Sequence, residues 1–315
     1  MSGQMQIKVF AGTASQGFAM DICQRLGTEL GKADVRKFSD GNIFVRILEQ
    51  VRDKDVYVIQ TIGIQPNDGF MELLFWIDAL KRASAGSITA VIPYFSYAKG
   101  DKKDEPRVSI RARVCADCLE TAGVDRVITM DLHAPQIQGF FKKPVDHLYA
   151  LPVLCDAILQ RGLPNLTVVS PDAGFAKRAR EFAHRLKAPV AIGDKMRSDH
   201  TESAEIMSLI GDVAGRNVVI VDDFSVSCGT LVQMAKTVKA HGAKRVLACV
   251  THGLLGEEGA KALMESPIEE LLVTDTLEQA AGRFCPKITV VSVAELFAKA
   301  IKIIHDKESL SILFE

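Results

Sequence analysis

The sequence lacks an apolar run long enough to cross a bilayer, and it lacks a strong excess of either charge. No stretch of its 315 residues approaches the roughly 20 apolar residues that a membrane-spanning helix needs. The formal net charge of −1 offers no electrostatic basis for binding nucleic acid or an anionic membrane surface. The first residues show no basic segment followed by an apolar one, so we expect no secretory signal and a cytoplasmic location.

The sequence also lacks the cysteine pairs of a zinc site and the glycine-rich P-loop of many nucleotide-binding proteins. Its seven cysteines are scattered and contain one C-x-x-C, formed by Cys115 and Cys118 within a helical pattern over residues 111–121. No second pair completes a four-ligand zinc site, so we interpret the cysteines as reduced core thiols. No G-x-x-x-x-G-K-[ST] segment occurs, so a P-loop would not hold a nucleotide here.

What is present is a repeated alternation of strand-like and helical patterns. A hydrophobic content of 48% and a charged content of 24% describe a globular protein, and the length is sufficient for two domains. The predicted strands occupy residues 7–10, 57–60, 88–92, 127–130, 167–170, 218–221, 246–250 and 288–291. This alternation predicts βαβ units and parallel sheets.

A helix and a faint internal repeat refine the expected architecture. One helix is predicted to begin near Asn67 or Asp68 and to contain Trp76 as a packing residue. The pattern G-x-x-R-V occurs at residues 123–127 and again at residues 242–246, and a histidine follows each copy at the same distance. The repeat favours two similar α/β domains joined near residues 148–152.

The most informative segment is residues 218–230. Four β-branched residues predict a buried strand, Asp222 and Asp223 follow at its carboxyl end, and a turn of small residues opens a helix predicted over residues 231–241. Ligands of parallel sheets bind beyond the carboxyl ends of the strands, and a helix N-terminus suits a phosphate. The two carboxylates suit ribose hydroxyls or Mg²⁺. The segment predicts a sugar-phosphate site, with an ordinary Asx turn and helix cap as the alternative.

Residues 222–230 resemble the phosphoribosyl-pyrophosphate loop of type I phosphoribosyltransferases and ribose-phosphate pyrophosphokinases. Further segments resemble the pyrophosphokinases specifically, and the resemblance covers nearly the whole chain; these segments are residues 38–42, 71–74, 77–85, 88–94, 125–141, 170–174, 251–253 and 313–314. Ordinary nucleobase phosphoribosyltransferases share only the loop at residues 222–230, so that function is disfavoured.

The resemblance implies an α/β protein of two similar type I phosphoribosyltransferase-like domains, each a mainly parallel sheet flanked by helices. The expected N-terminal domain is residues 1–149, completed by 295–315, and lies on the ATP side. The expected C-terminal domain is residues 150–294 and lies on the ribose 5-phosphate side. The implied reaction moves diphosphate from ATP to the 1-hydroxyl of ribose 5-phosphate, with Mg²⁺ as cofactor. The implied assembly is a homohexamer built from dimers.

The resemblance also assigns roles to individual residues. It implies ATP binding by Phe38, Asp40, Asn42, Lys99 and Asp101. It implies ribose 5-phosphate binding by Asp222, Asp223, Ser227, Cys228, Gly229 and Thr230. His133 and Asp172 match metal-binding positions, and Lys195 and Arg197 match catalytic cations that stabilise charge on the transferred group.

Five positions depart from the family's usual pattern. Asn42 stands where glutamate is usual, Lys99 and Gly100 where arginine and glutamine are usual, Phe175 where glycine is usual, and Val226 where a third acid is usual. These departures keep open a second hypothesis, a catalytically silent paralogue that co-assembles with an active enzyme and regulates it. The retained cations, acids and metal-binding residues favour an active diphosphokinase.

Overall fold

The computed structural model describes residues 6–195, 206–278 and 285–313. The chain forms two compact units, the first made of Met1–Tyr149, Thr276–Glu278 and Val293–Glu315, and the second of Ala150–Asp275 and Gln279–Ser292. Within the part of the chain that the structure describes, no helix combines the length and apolarity required to cross a membrane.

The first unit is built on a five-stranded sheet in which every neighbouring pair is parallel. The strand order is β1-β4-β5-β6-β7, and β2 and β3 form a separate antiparallel pair. Its strands are β1 (Ile7–Ala11), β2 (Ala33–Lys37), β3 (Ile43–Ile47), β4 (Asp55–Ile59), β5 (Ser87–Ile92), β6 (Arg126–Met130) and β7 (Val145–Leu148). Its helices are α1 (Gln16–Leu26), α2 (Pro66–Arg82), α3 (Arg111–Ala122) and, near the C-terminus, α8 (Ala294–His305), with short 3₁₀ turns at Ser96–Lys99, Pro135–Phe140 and Leu310–Leu313.

The second unit contains a seven-stranded sheet of order β10-β9-β8-β11-β12-β13-β14, in which only β10 runs antiparallel to its neighbour. The strands are β8 (Leu166–Ser170), β9 (Val190–Lys195), β10 (Ile206–Ile210), β11 (Asn217–Ser225), β12 (Arg245–Gly253), β13 (Glu270–Thr274) and β14 (Ile288–Val291). The helices are α4 (Leu151–Leu159), α5 (Ala176–Leu186), α6 (Gly229–Ala240) and α7 (Glu257–Met264). The predicted fold class, α/β with mainly parallel sheets flanked by helices, is confirmed.

The internal repeat corresponds to one βαβ unit in each half. Gly123 ends α3 with φ 114° and precedes β6, and Gly242 follows α6 with φ 86° and precedes β12. Both glycines adopt the left-handed region, where a side chain would be strained, as is common after a helix C-terminus. The two histidines of the repeat are not equivalent, because His133 is exposed in the loop after β6 and His252 is buried within β12.

The predicted start of α2 is wrong by one to two residues. The helix begins at Pro66, whose fixed φ is favourable at the first helical position, and no side chain caps it. Asp68 instead forms an exposed ion pair with Lys37 at 2.5 Å. Trp76 is buried against Phe10, with ring centroids 5.4 Å apart, and its indole N–H donates to Glu72 at 3.1 Å. It is a core residue.

The C-terminal helix α8 packs within the first unit. Phe297 and Ile301 are buried, and the ring of Phe297 meets that of Phe18 edge-on at 5.3 Å. Leu296 and Ile304 of the same helix are half-buried. The buried face also includes three alanines, Ala294, Ala298 and Ala300.

A polar contact fastens the end of α8 to the sheet. His305 Nδ1 lies 2.8 Å from a carboxylate oxygen of Asp55, and the other oxygen accepts a hydrogen bond from Ser87 Oγ at 2.7 Å. Both partners of the histidine contact are largely buried. Removing the histidine would therefore leave a poorly solvated carboxylate with one fewer partner.

We predict that His305→Ala lowers the free energy of unfolding by about 1.5–3 kcal/mol, the range for a hydrogen bond to a charged group. The measurement is denaturant unfolding followed by circular dichroism. Lys302→Ala on the same helix is the control, because its exposed pair with Asp306 should contribute at most about 1 kcal/mol. Equal losses in the two variants would show that the buried contact does not anchor the helix.

Candidate functional site

The acidic pair lies within β11, which corrects the prediction that it follows the strand. The strand pairs with β8 as far as Ile220 but continues beside β12 to Ser225, with Asp222 opposite Val250. The end of β11 is thus held on one side only. The carboxylate of Asp222 accepts from the backbone N–H of Asp223, and that of Asp223 accepts from the N–H of Phe224, each at 2.9 Å. These contacts fix both carboxylates at the carboxyl edge of the sheet.

Three carboxylates contribute negative charge at this edge. Burial raises the pKa of Asp222 well above its usual range, and the neighbouring carboxylates of Asp223 and, more weakly, Asp172 raise it further. Repulsion and poor solvation both disfavour the charged form of Asp222. A bound cation, or ligand hydroxyl groups that donate hydrogen bonds to these carboxylates, would therefore relieve the repulsion at this edge.

The turn after β11 leads into α6 through a strained residue. Cys228 adopts φ 59°, in the left-handed region that favours glycine, and its side chain is buried. Ser227 Oγ accepts from the N–H of Gly229 at 3.4 Å. Behind the turn, Gly259 of α7 approaches so closely that a Cβ there would lie 3.1 Å from the carbonyl oxygen of Val226. The turn is thus supported from behind, with the α6 N-terminus and Thr230 following it.

The cysteine of this turn is not a nucleophile at neutral pH. Burial raises the pKa of the Cys228 thiol to about 11, and a hydrogen bond with Ser225 lowers this pKa by a smaller amount. All seven cysteines are free, and burial also raises the pKa of Cys115 to about 12. These observations agree with the interpretation of the cysteines as reduced core thiols.

Asp172 lies in the loop between β8 and α5, in the same unit. Its carboxylate accepts from the N–H of Phe175 at 3.1 Å, and Ser170 Oγ donates to its carbonyl oxygen at 2.7 Å. Gly174 passes the carboxylate so closely that a Cβ there would lie 3.1 Å from Oδ1. Phe175 is half-buried and immediately precedes α5. Its side chain does not prevent the hydrogen bond from its own N–H to Asp172.

The two predicted catalytic cations are only partly described. Lys195 ends β9, which runs parallel to β8 and pairs with Ser170 through Ile192. Its backbone therefore lies beyond the carboxyl end of β8, on the side where Asp172 follows. Arg197 lies outside the described residues.

In the first unit, the predicted residues fall on loops after two neighbouring strands. Lys99 and Asp101 follow β5, and His133 follows β6. Gln136 Nε2 donates to Asp101 at 3.0 Å and so joins the two loops. The loop of His133 is held by His147, whose Nε2 accepts from the N–H of Leu132 at 2.8 Å. Gln136 lies within the family-like segment 125–141 but received no role from the sequence, and His147 gave no signal, because both roles depend on strands that are distant in sequence.

Phe38, Asp40 and Asn42 lie together in the turn between β2 and β3, apart from the five-stranded sheet. The carbonyl oxygen of Asn42 accepts from the N–H of Phe38 at 2.8 Å, and Asp40 accepts from the N–H of Asn42 at 3.0 Å. Phe38 is exposed, with its ring centroid 6.2 Å from that of Phe44. The turn therefore presents an aromatic face beside a carboxylate and an amide.

No preformed metal cage accompanies these residues. Among residues 6–195, 206–278 and 285–313, no group of three or more histidine, cysteine, aspartate or glutamate side chains is arranged to hold a metal ion. A metal at the predicted positions would need oxygens from a substrate or from water to complete its coordination.

Comparison with known families matches both ends of the chain. Residues 7–123 match the model of the N-terminal domain of ribose phosphate pyrophosphokinase, and residues 198–315 match that of the phosphoribosyl synthetase-associated domain. The ribose-phosphate pyrophosphokinase of Caldanaerobacter subterraneus subsp. tengcongensis is 48% identical, with 98% of each chain covered. That of Burkholderia pseudomallei is 47% identical over 100% of this chain and 99% of the relative.

A solved structure agrees with these matches. The crystal structure of phosphoribosylpyrophosphate synthetase from Mycobacterium smegmatis superposes with a TM-score of 0.89 at 37% identity. The superposition covers 96% of this chain and 99% of the other. The similarity therefore extends across both units and is not limited to the loop at residues 222–230.

The raised pKa of Asp222 predicts an unusual dependence of stability on pH. The folded protein holds the proton of Asp222 more tightly than the unfolded chain does, so its contribution to stability falls as pH rises from about 4 through the raised pKa. Asp222→Asn does not titrate and can still accept from the N–H of Asp223. We expect it to exceed the wild type in stability at neutral pH by at least about 1 kcal/mol, an advantage that shrinks in acid.

The measurement is thermal or denaturant unfolding of both proteins at a series of pH values, without ligands. Glu265→Gln is the control, since Glu265 is an exposed carboxylate at the end of α7. An Asp222→Asn advantage that stays constant with pH would show that charge at this position is not the cause.

Proposed function

The chain belongs to the ribose-phosphate pyrophosphokinase family, and we propose that its second unit holds ribose 5-phosphate while its first unit holds ATP. The protein transfers diphosphate from ATP to the 1-hydroxyl of ribose 5-phosphate, giving phosphoribosyl pyrophosphate and AMP. The observation that carries the assignment of the sugar site is the extension of β11, which places paired carboxylates directly before a turn and a helix N-terminus.

Ribose 5-phosphate fits this edge of the second unit for two physical reasons. Asp222 and Asp223 can accept hydrogen bonds from the ribose hydroxyls, which would reduce the strain that burial and repulsion impose on Asp222. Residues 227–230 place backbone N–H groups and the hydroxyls of Ser227 and Thr230 at the start of α6, where a phosphate is favoured. Cys228 shapes this turn by its left-handed backbone and its buried side chain.

ATP fits the first unit through an aromatic surface and a cationic loop. We assign the adenine to Phe38, Asp40 and Asn42 in the turn between β2 and β3. We assign the phosphates to the loop of Lys99 and Asp101. The exposure of the Phe38 ring supports the first assignment, since a purine can stack on it. An ammonium at position 99 supplies charge without the paired donors of a guanidinium.

Mg²⁺ fits the oxygen-rich side chains of the second unit. Burial, and then repulsion from Asp223 and Asp172, raises the pKa of Asp222, and a cluster of carboxylates of this kind prefers a hard cation. We assign the ion to Asp172 together with substrate oxygens and water. Separately, in the first unit, we assign His133 as a metal ligand or phosphate contact, as the family resemblance implies. Bound Mg²⁺ neutralises charge on the transferred diphosphate.

Lys195 and Arg197 act on the transition state. The 1-hydroxyl oxygen forms a bond to the β-phosphorus of ATP, and the bond from that phosphorus to the oxygen that links it to the α-phosphorus breaks. AMP leaves with that oxygen, and the hydroxyl proton passes to water. Charge shifts onto the phosphoryl oxygens and the leaving AMP during this exchange. We assign the two cations to that charge, because electrostatic stabilisation contributes most where charge develops.

The family resemblance also suggests how the protein assembles and where it is located. We propose a cytoplasmic homohexamer built from dimers, with no nucleic-acid or membrane partner. Phe44, exposed on the hairpin of β2 and β3, is a side chain that a neighbouring subunit could cover.

The alternative, a silent paralogue that regulates an active enzyme, is not favoured by the family comparisons. Its test is an assay of the purified protein, free of host enzyme, with ribose 5-phosphate, Mg²⁺ and each nucleoside triphosphate in turn. Phosphorus NMR should show one AMP formed for each phosphoribosyl pyrophosphate when ATP is supplied. A protein that is inert with every nucleotide but changes the rate of an active paralogue would replace this proposal with the alternative.

The roles of the two cations predict a specific kinetic defect. Replacing Lys195 and Arg197 together by alanine should lower kcat about a hundredfold to a thousandfold, because the lost contacts act on developing charge. KM for both substrates should change little, since binding before transfer does not depend on them. Steady-state kinetics measure both values.

Lys236→Ala is the matched control, since Lys236 is exposed on α6. A double variant that keeps the kcat of the wild type, or that loses only substrate affinity, would remove the catalytic role from this pair.

A further inference from the structure

Arg111 occupies the space that a side chain at position 100 would need. A Cβ built on Gly100 would lie 2.6 Å from Nε of Arg111, 3.0 Å from its Cβ and 3.3 Å from its Cζ. The backbone of Gly100 has φ −105°, which any residue can adopt. The glycine is therefore required for space and not for its conformational freedom.

The backbone also ties Arg111 to this loop. The carbonyl oxygen of Gly100 accepts from the N–H of Ala112 at 3.1 Å, so the first turn of α3 is joined to the end of the 3₁₀ turn Ser96–Lys99. Gly100 is buried and Arg111 is exposed. The exposed arginine thus lies over the loop that carries Lys99 and Asp101.

Arg111 differs from its neighbour Arg113 in having no counter-charge. Arg113 forms an ion pair with Asp117 at 2.6 Å and also donates to the carbonyl oxygen of Phe140. Within the described part of the chain, no hydrogen bond or ion pair engages the guanidinium of Arg111. A guanidinium that is positioned by its backbone but has no carboxylate partner keeps its N–H donors available for an anion.

We propose that Arg111 binds the polyphosphate of the nucleotide and supplies the paired donors that Lys99 lacks. This inference rests on the proposed placement of the ATP phosphates at the loop of Lys99 and Asp101. A side chain at position 100 and the guanidinium of Arg111 cannot occupy the same space, because a side chain there would displace the guanidinium that now covers Gly100. Gly100 thus leaves the space in which Arg111 can bind phosphate, so glycine at this position is compatible with nucleotide binding.

The test measures nucleotide affinity without turnover. Isothermal titration with Mg²⁺ and α,β-methylene-ATP, whose α–β bridge cannot be broken, should show about tenfold or greater weakening in Arg111→Ala, as for one lost charge-assisted contact. Arg111→Lys should recover only part of the loss, because an ammonium is not bidentate. Affinities for adenosine and for ribose 5-phosphate should stay at the wild-type values. Arg52→Ala, at an exposed arginine of the same unit, is the control.

A double-mutant cycle tests the spatial link to Gly100. Gly100→Ala should weaken binding of α,β-methylene-ATP in the wild type and have little further effect in Arg111→Ala. Independent, additive losses would overturn the claim that the two residues act together. Equal weakening of adenosine and of α,β-methylene-ATP would overturn the assignment to phosphate.

The outcomes also separate this inference from the proposed function. If the wild type binds α,β-methylene-ATP and Arg111→Ala binds it equally well, the inference is wrong and the proposed function stands. If the wild type binds no nucleotide, both fall, because there is no phosphate site to complete.

Discussion

The site in the second unit depends on the unequal pairing of β11 with its two neighbours. Pairing with β8 stops at Ile220, while pairing with β12 continues to Ser225. This difference holds Asp222 and Asp223 in extended backbone at an edge that is open on one side. A strand that ended with β8 would release the two acids into a flexible turn. A strand paired fully on both sides would leave no space for a ligand.

Charge separates the roles of the two units. At the edge of the second unit, burial and repulsion between carboxylates disfavour the ionised form of Asp222, and hydroxyl groups or a hard cation would relieve that repulsion. In the first unit, the loop after β5 carries Lys99 and lies beneath the guanidinium of Arg111. A sugar with bound metal suits the acidic edge, and a polyphosphate suits the basic loop.

The sequence was sufficient for the fold class and for the strands that read as continuous apolar runs. It did not reveal β2 and β3, whose pattern is broken by charge, or β7, β9, β10 and β13. The end of β11 was misjudged because aspartate is unfavourable in strands, and tertiary pairing with β12 overrides that preference.

Motifs located the candidate residues near 222–230, because turn chemistry is local. The contact between Gly100 and Arg111 could not be predicted, since it depends on how the first turn of α3 meets the preceding loop.

The central claim is that ribose 5-phosphate binds at the end of β11 and the start of α6, in the second unit. Hydrogen exchange read by mass spectrometry tests this directly, with the protein measured alone and with saturating ribose 5-phosphate and Mg²⁺. We expect slower exchange of the amides at residues 224–231, with those of residues 96–101 unchanged. Protection confined to the first unit, or none at residues 224–231 despite measured binding, would contradict it.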